Sequence, residues 1–444
     1  MKTPIYDFVK GYAEKNPVRF HMPGHKGKSF LGTEPYDITE ISGADTLYSA
    51  DGIIAESEDN LSSIFKTAHS FYSTEGSTLV IKAMLALATV GKKNPVILAG
   101  RGAHKSLIYA AALLDVDIVW MFPEGSEHLC SAALTKSEVE RALSENKDVS
   151  AVFITSPDYL GNLSDVLGIA EACKKYSVPL LVDNAHGAYL NFLSPSRHPI
   201  ALGADMCCDS AHKTLPCLTG GAYLHISKSA PKKYLGSARR MLSLFASTSP
   251  SYLILESLDL CNAYLSDGYE KKLSDAVCKI NTLKSELSAA GFSVLDTEPL
   301  KIVIDANEYG YTGFEIADCL SSCGVEAEFF DSEYLVLMAT PENDASDYER
   351  LYKALTSLPS KEPIIKKKVN IRIDAPKIMS IRDAIFSEHE ILPVRLAMGR
   401  ICASPTVSCP PAVPIAVSGE LITEDAVSLF ERYKINEIEV VKND

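Results

Sequence analysis

Between about residue 61 and residue 225 the chain alternates short, largely apolar runs with longer segments of helical periodicity. That alternation constrains the fold more than any other feature. The runs are Val96-Ile97-Leu98-Ala99, Ile118-Val119-Trp120-Met121, Ala151-Val152-Phe153-Ile154-Thr155, Pro179-Leu180-Leu181-Val182-Asp183, Ala204-Asp205-Met206-Cys207-Cys208 and Ala222-Tyr223-Leu224-His225. They recur at spacings of roughly 20 to 30 residues, which leaves room for a crossover helix each time. Runs with little polar alternation belong in strands covered on both faces, so the pattern predicts an α/β fold with a mostly parallel sheet sandwiched by helices.

The rest of the chain differs in character. Residues 1–60 read as a loop-rich arm and 61–265 as the large domain. Beyond 265 the residues at 273–290 read as an amphipathic helix ended by Gly291, and 300–305 alternates like a strand. A second helix over 313–323 and a strand over 334–338 complete a small α/β domain, 266–360. Residues 361–368, with Pro363 and three consecutive lysines, read as a connector to a C-terminal domain, 361–444.

Composition narrows the classes. A formal charge of −14 argues against nucleic acid or an anionic membrane as partner. No run approaches the roughly 20 apolar residues that span a bilayer, and the first 15 residues lack the apolar core of a signal peptide. The eleven cysteines include the adjacent pair Cys207-Cys208 and no CxxC spacing. That reads as reduced thiols in a cytoplasmic protein with no metal site. His21 and His25 are four apart, but Pro23-Gly24 between them breaks the helix a metal pair would need.

Two strand ends carry the chemistry. Lys213, in Asp209-Ser210-Ala211-His212-Lys213-Thr214, follows a buried run, and desolvation there makes its amine available to condense with an aldehyde. Asp183 ends another apolar run, where open α/β sheets place ligands. Each alone is ordinary, a loop lysine and a helix cap. Together they suit pyridoxal 5'-phosphate, which needs a Schiff-base lysine and a carboxylate that keeps its pyridine nitrogen protonated. The turn Ser73-Thr74-Glu75-Gly76-Ser77-Thr78 precedes an apolar helix from Leu79 and offers backbone N–H groups and hydroxyls to a phosphate.

Ser210-Ala211-His212-Lys213 and Asp183-Asn184-Ala185-His186-Gly187-Ala188 resemble the signatures of the Orn/Lys/Arg decarboxylases, which are fold-type I (aspartate aminotransferase-like) pyridoxal-phosphate enzymes. Pro23-Gly24-His25-Lys26-Gly27, Asp51-Gly52-Ile53-Ile54-Ala55-Glu56 and Gly399-Arg400-Ile401 match in the same order, so the resemblance covers most of the chain, in a short form without an N-terminal receiver-like domain. It implies that Gly76, Ser77 and Thr78 hold the cofactor phosphate, with Ser210 and His212 adding to that site. It further implies that His104 stacks on the pyridine, that Asp183 pairs with its nitrogen and that His186 lies beside the ring. Thr248 and Ser249 match a segment that reaches the partner's cofactor phosphate, which implies a homodimer with shared active sites, open to pairing into tetramers.

The implied reaction is decarboxylation of a basic L-amino acid, arginine, lysine or ornithine, to a polyamine-pathway amine and carbon dioxide, with Lys213, His212, Asp183 and His186 as the catalytic set. His212 or Lys213 would return a proton to Cα. An aminotransferase, lyase or racemase on the same fold, or a non-catalytic dimer, are the alternatives. Arg395 and Arg400 are weighed for the substrate carboxylate and left unassigned. The chain departs from the family pattern at Asp158 (usually Thr), Gly220 (Gln), Ala222 (Ser), Cys409 (Tyr), Ala412 (Gly) and Ser418 (Pro). The C-terminal changes put substrate choice in doubt more than cofactor binding.

Overall fold

A computed structural model describes residues 1–366, 371–405 and 412–443. In chain order the first part runs α1 (Pro4–Lys15), α2 (Ile53–Phe65), β1 (His69–Ser73), α3 (Gly76–Thr89), β2 (Val96–Gly100), α4 (Lys105–Leu114), β3 (Asp117–Met121), α5 (Lys136–Glu145), β4 (Val149–Thr155), α6 (Val166–Lys175), β5 (Leu180–Asp183), β6 (Met206–Asp209), α7 (Ala211–Thr214), β7 (Ala222–Ile226), α8 (Lys232–Phe245) and α9 (Tyr252–Ser266). The seven strands form one sheet in the order β1-β7-β6-β5-β4-β2-β3. It is mostly parallel, as the alternation predicts. β2 pairs with β3 and β5 with β6 in parallel, while β7 runs antiparallel to both of its neighbours.

The chain divides into two compact units. The first comprises Met1–Lys92, Ser150–Phe153 and Val166–Lys271. Residues 1–60, read as loop-rich, hold two helices here. Pro4 sits in the first turn of α1, where its missing N–H has no intrahelical partner to lose. The buried carboxylate of Asp259 on α9 accepts the Ile5 and Tyr6 N–H groups at 2.9 and 3.0 Å, satisfying the exposed end of the helix from a distant segment. β1 escaped the sequence pattern because only Phe71 and Tyr72 of its four buried positions are apolar, with the buried serines Ser70 and Ser73 on either side of them.

The second unit holds 93–149, 154–165 and the chain from 272 on. After α10 (Tyr269–Ala289), the strands β8 (Ser293–Val294), β9 (Lys301–Asp305), β10 (Phe329–Phe330) and β11 (Tyr334–Met338) form an antiparallel sheet in the order β10-β11-β9-β8, with α11 (Gly313–Ser322) and α12 (Ala345–Thr356) beside it. Both helices start at capping boxes, Thr312 with Glu315 and Asp344 with Asp347. β9 was expected to alternate but is buried at all five positions. Lys301 reaches that depth because its Nζ donates to the Asp158 and Tyr159 carbonyls at 3.0 and 3.1 Å. Toward the C-terminus, α13 (Ile381–Phe386), β12 (His389–Pro393), α14 (Glu424–Arg432) and β13 (Glu437–Val441) enclose a separate core of Val394, Ile422, Leu429, Phe430, Ile438 and Val440. Among the described residues no helix is long and apolar enough to cross a membrane.

Candidate active site

The parallel pair β5–β6 ends at Asp183 and Asp209, and the short helix α7 begins two residues on. This brings Lys213 beside the carboxyl end of β5. Its Nζ lies 2.8 Å from Nε2 of His186, which sits on the turn after Asp183. Asp183 is 3% exposed; its Oδ1 accepts the Ala185 N–H at 3.2 Å and the Cys208 thiol at 3.4 Å. Burial raises its carboxyl above the ordinary carboxylate range, and the Lys213 ammonium opposes that rise. His212 donates Nδ1–H to the Gly221 carbonyl at 2.9 Å, and burial lowers its imidazole below the usual range. The ring is therefore neutral near pH 7, with its lone pair on Nε2.

Beside this cluster, Ser77 Oγ is 2.8 Å from Ser210 Oγ, and both residues are buried. α3 starts at Gly76, and the side chain of its N-cap residue Glu75 makes no capping hydrogen bond. A Cβ built on Gly76 would meet nothing within 4 Å, so open space lies over the helix start. Thr78 is exposed on the first turn. Two glycines tie the parts together: Gly76 N–H donates to the Gly220 carbonyl at 2.8 Å, and His212 N–H to the Gly221 carbonyl at 3.2 Å. Gly220 has φ +98°, and a Cβ there would lie 2.9 Å from the Thr74 carbonyl oxygen. The departure at 220 is thus a backbone requirement of this chain, since a glutamine does not fit that conformation.

The donor set suits pyridoxal 5'-phosphate: an amine hydrogen-bonded to an imidazole, a buried carboxylate, and a helix start with open space over it, flanked by two hydroxyls. Lys213, His212, His186, Asp183, Ser210, Ser77, Thr78 and Gly76 all lie in the first unit. Thr248 and Ser249 lie there too, exposed on the loop between α8 and α9, which the Glu75 carboxylate anchors through the Ser247 N–H at 2.7 Å. His104 belongs to the second unit and caps α4. Its Nδ1 accepts the Ser106 N–H at 3.1 Å and lies 2.7 Å from the Ser106 hydroxyl, which orients the ring.

Other residues resolve differently. Arg395 pairs with Glu431, and Arg400 with Glu390 and the Val441 carbonyl, so both side chains are engaged in the C-terminal domain. His21 and His25 turn to Tyr12 and Asp37 and do not converge. Asp158 is buried and ties its own turn to Ala132 and Asn162. Cys409 lies outside the described residues.

The sequence reading missed a clamp in the second unit. Arg101, just past β2, donates to the Pro414 and Ile415 carbonyls and to Glu420 Oε2 at 3.1 Å, and its guanidinium lies 5.0 Å from the Trp120 ring centroid. Lys105 N–H, the first of α4, donates to the Ala412 carbonyl at 3.0 Å. The C-terminal signature thus holds the turn that carries His104. The local signal was an arginine two residues beyond an apolar run.

A model of the Orn/Lys/Arg decarboxylase major domain matches residues 3–309. The chain is 31% identical to an arginine decarboxylase of Halalkalibacterium halodurans over 95% of its length and 91% of the relative's. It is 28% identical to an arginine decarboxylase of Bacillus subtilis, over 96% and 92%. The structure superimposes on a lysine decarboxylase of Francisella novicida with a TM-score of 0.81 at 16% identity, covering 99% of this chain and 81% of that one. It also resembles a serine palmitoyltransferase of Sphingomonas wittichii, with a TM-score of 0.56 at 14% identity, over 79% and 82%.

Proposed function

The chain belongs to the Orn/Lys/Arg decarboxylase family of pyridoxal-phosphate-dependent enzymes, and we propose that it converts L-arginine to agmatine and carbon dioxide, supplying a polyamine-pathway amine. Lysine and ornithine are the competing substrates. The observation that carries the reading is the meeting of Lys213, His186 and Asp183 at the end of one parallel strand pair. Arginine is preferred because several relatives aligned over nearly the whole chain, those of Halalkalibacterium halodurans and Bacillus subtilis among them, are named arginine decarboxylase.

In this reading Lys213 Nζ would hold the cofactor, Asp183 would face its ring nitrogen, and Ser77, Thr78, Ser210 and the start of α3 would hold its phosphate. When bound, pyridoxal 5'-phosphate supplies an aldehyde that joins an amine and a ring that takes up the electron pair left by a departing carboxylate. Opposite a protonated ring nitrogen, Asp183 would carry its negative charge in a dry setting, where that charge is worth far more than in water. His186 Nε2, 2.8 Å from Lys213 Nζ, orients the lysine amine by a hydrogen bond. His212 carries its hydrogen on Nδ1, committed to Gly221, so its Nε2 acts as an acceptor. That favours Lys213, once released, as the group that returns a proton to the substrate Cα. Thr248 and Ser249, exposed and anchored from Glu75, would serve the phosphate site of a second copy in a homodimer.

The test is product analysis by mass spectrometry, with the cofactor-loaded protein incubated with single amino acids. Agmatine from arginine is the expected product. Cadaverine or putrescine would reassign the substrate, and keto acids or racemised arginine would overturn decarboxylation. Borohydride reduction followed by peptide mapping should place the cofactor on Lys213, and Lys213→Ala should abolish the label.

A further inference from the structure

We infer that Asp209, gripped by His198 and His225, is a positioning residue that fixes the 183–187 turn through Asn184 and so sets how tightly, and in which protonation state, the cofactor is held. The inference rests on the pyridoxal-phosphate reading above.

Asp209 closes β6 with its side chain wholly buried. Its Oδ2 lies 3.0 Å from His198 Nε2 and 3.2 Å from His225 Nε2, and its Oδ1 accepts Asn184 Nδ2–H at 2.7 Å. Behind His225 the chain of polar groups continues, from Nδ1 to Ser70 Oγ at 2.7 Å and on to Thr67 Oγ1 at 2.8 Å. Every member lies in the first unit.

His198, Cys207 and Asp209 have donor atoms close enough to share a metal ion. Tautomer logic argues for protons instead. His198 Nδ1 accepts the Ile200 N–H at 3.4 Å, which leaves the ring hydrogen on Nε2, aimed at Asp209. The group is a buried carboxylate surrounded by donors. Burial pushes its carboxyl up, and the two imidazoles more than reverse that, so it stays ionised.

Strand alternation decides what this anion can do. Asp183 pairs in register with Cys208, whose thiol donates to it, while Cys207 and Asp209 point to the other face of β6. Asp209 therefore reaches the 183–187 turn by contact through Asn184, and its charge alone acts on Asp183 across the sheet. That residue is held on several sides: its N–H donates to the Cys208 carbonyl at 2.9 Å, its carbonyl accepts the Gly187 N–H at 2.8 Å, and its amide reaches Asp209. A Cβ at Gly187 would lie 2.0 Å from Asn184 Oδ1, so the turn admits no side chain there. Asp183 and His186 flank this locked residue. The titratable groups facing Asp209 are His198, His225 and Cys207 directly, with Asp183 and Cys208 across the sheet.

The experiment compares full-length wild type, Asn184→Ala, His225→Leu and His225→Gln, the last keeping a donor where Nε2 stood. Cofactor is removed and titrated back to measure affinity, and the visible absorbance of bound cofactor is followed against pH. Loss of a hydrogen bond to a charged group predicts affinity weakened roughly tenfold or more in Asn184→Ala. A displaced pH midpoint, lower kcat and little change in KM should accompany it. His225→Leu should shift both readouts the same way, and His225→Gln should recover part of each. Wild-type affinity and midpoint in a folded Asn184→Ala would overturn the inference. Were that variant unfolded, identical behaviour of the Leu and Gln variants would do the same. If wild type itself forms no borohydride-reducible bond at Lys213, the proposed function fails first and this inference falls with it.

Discussion

Replacing Arg101 with Met tests whether the C-terminal signature is clamped to the turn before α4. Arg101 and Glu420 have side chains only 9% and 8% exposed, so the charge left behind in Arg101→Met has little access to water. Removing one member of a buried pair costs about 3–5 kcal/mol, a figure that already includes the stranded partner. The Pro414 and Ile415 carbonyls lose their donor as well. At 2–4 °C per kcal/mol for a unit of this size, the melting temperature should fall on the order of 10 °C. Glu420 also accepts the Val417 N–H at 2.8 Å, so Arg101→Met/Glu420→Leu should recover stability only to within about 1–2 kcal/mol of wild type. Acidity supplies a further check. Burial pushes the Glu420 carboxyl above its ordinary 4.5, and Arg101 opposes this. Without Arg101 the folded value rises further, so the folded state holds a proton that the unfolded chain releases. The stability from that proton is full below about 4.5 and lost as pH rises through the folded value. The deficit of Arg101→Met should therefore be larger at pH 7 than at pH 5. Calorimetry of the cofactor-loaded protein at both values reads it. A single variant within about 1 kcal/mol of wild type, or a double variant no better than the single, would refute the clamp.

Ala412 has φ +55°, a left-handed conformation that disfavours any Cβ by roughly 1–2 kcal/mol, so Ala412→Gly should raise the melting temperature by a few degrees. Gly220→Gln, which restores the usual family residue, should destabilise this chain by about 1–3 kcal/mol in urea unfolding; an unchanged midpoint would contradict the 2.9 Å contact with Thr74. Asp183→Asn should lower kcat roughly 10²–10³-fold. Because an acid disfavoured by burial is removed, its melting temperature should hold or rise.

The parts of the site that were legible in the sequence share a property: each lies within a few residues of the feature that announces it. An apolar run ending in Asp183, a lysine after a second run and a Gly-Ser-Thr turn before an apolar helix are local patterns, because strand ends and helix starts are built from neighbours. Asp209 stood at the head of the lysine stretch, yet nothing near it signalled His225 on the reversed strand β7 or His198 in the loop before β6. β1 was missed because two of its four buried positions are serines whose partners lie elsewhere, Ser70 on His225 of β7 and Ser73 on the Gly76 carbonyl. Arg101 finds Glu420 some 319 residues away.

The sequence by itself determined the sheet-and-helix alternation, the candidate lysine and carboxylate, and the family likeness. Only the tertiary structure decided that His186 rather than His212 faces the lysine amine, that Gly220 answers to the Thr74 carbonyl, and that Asp209 is satisfied as an anion. Apolar periodicity is a property of consecutive residues and survives in one dimension. A buried polar atom must find its partner wherever the fold brings one, and that pairing exists only once distant segments are packed together.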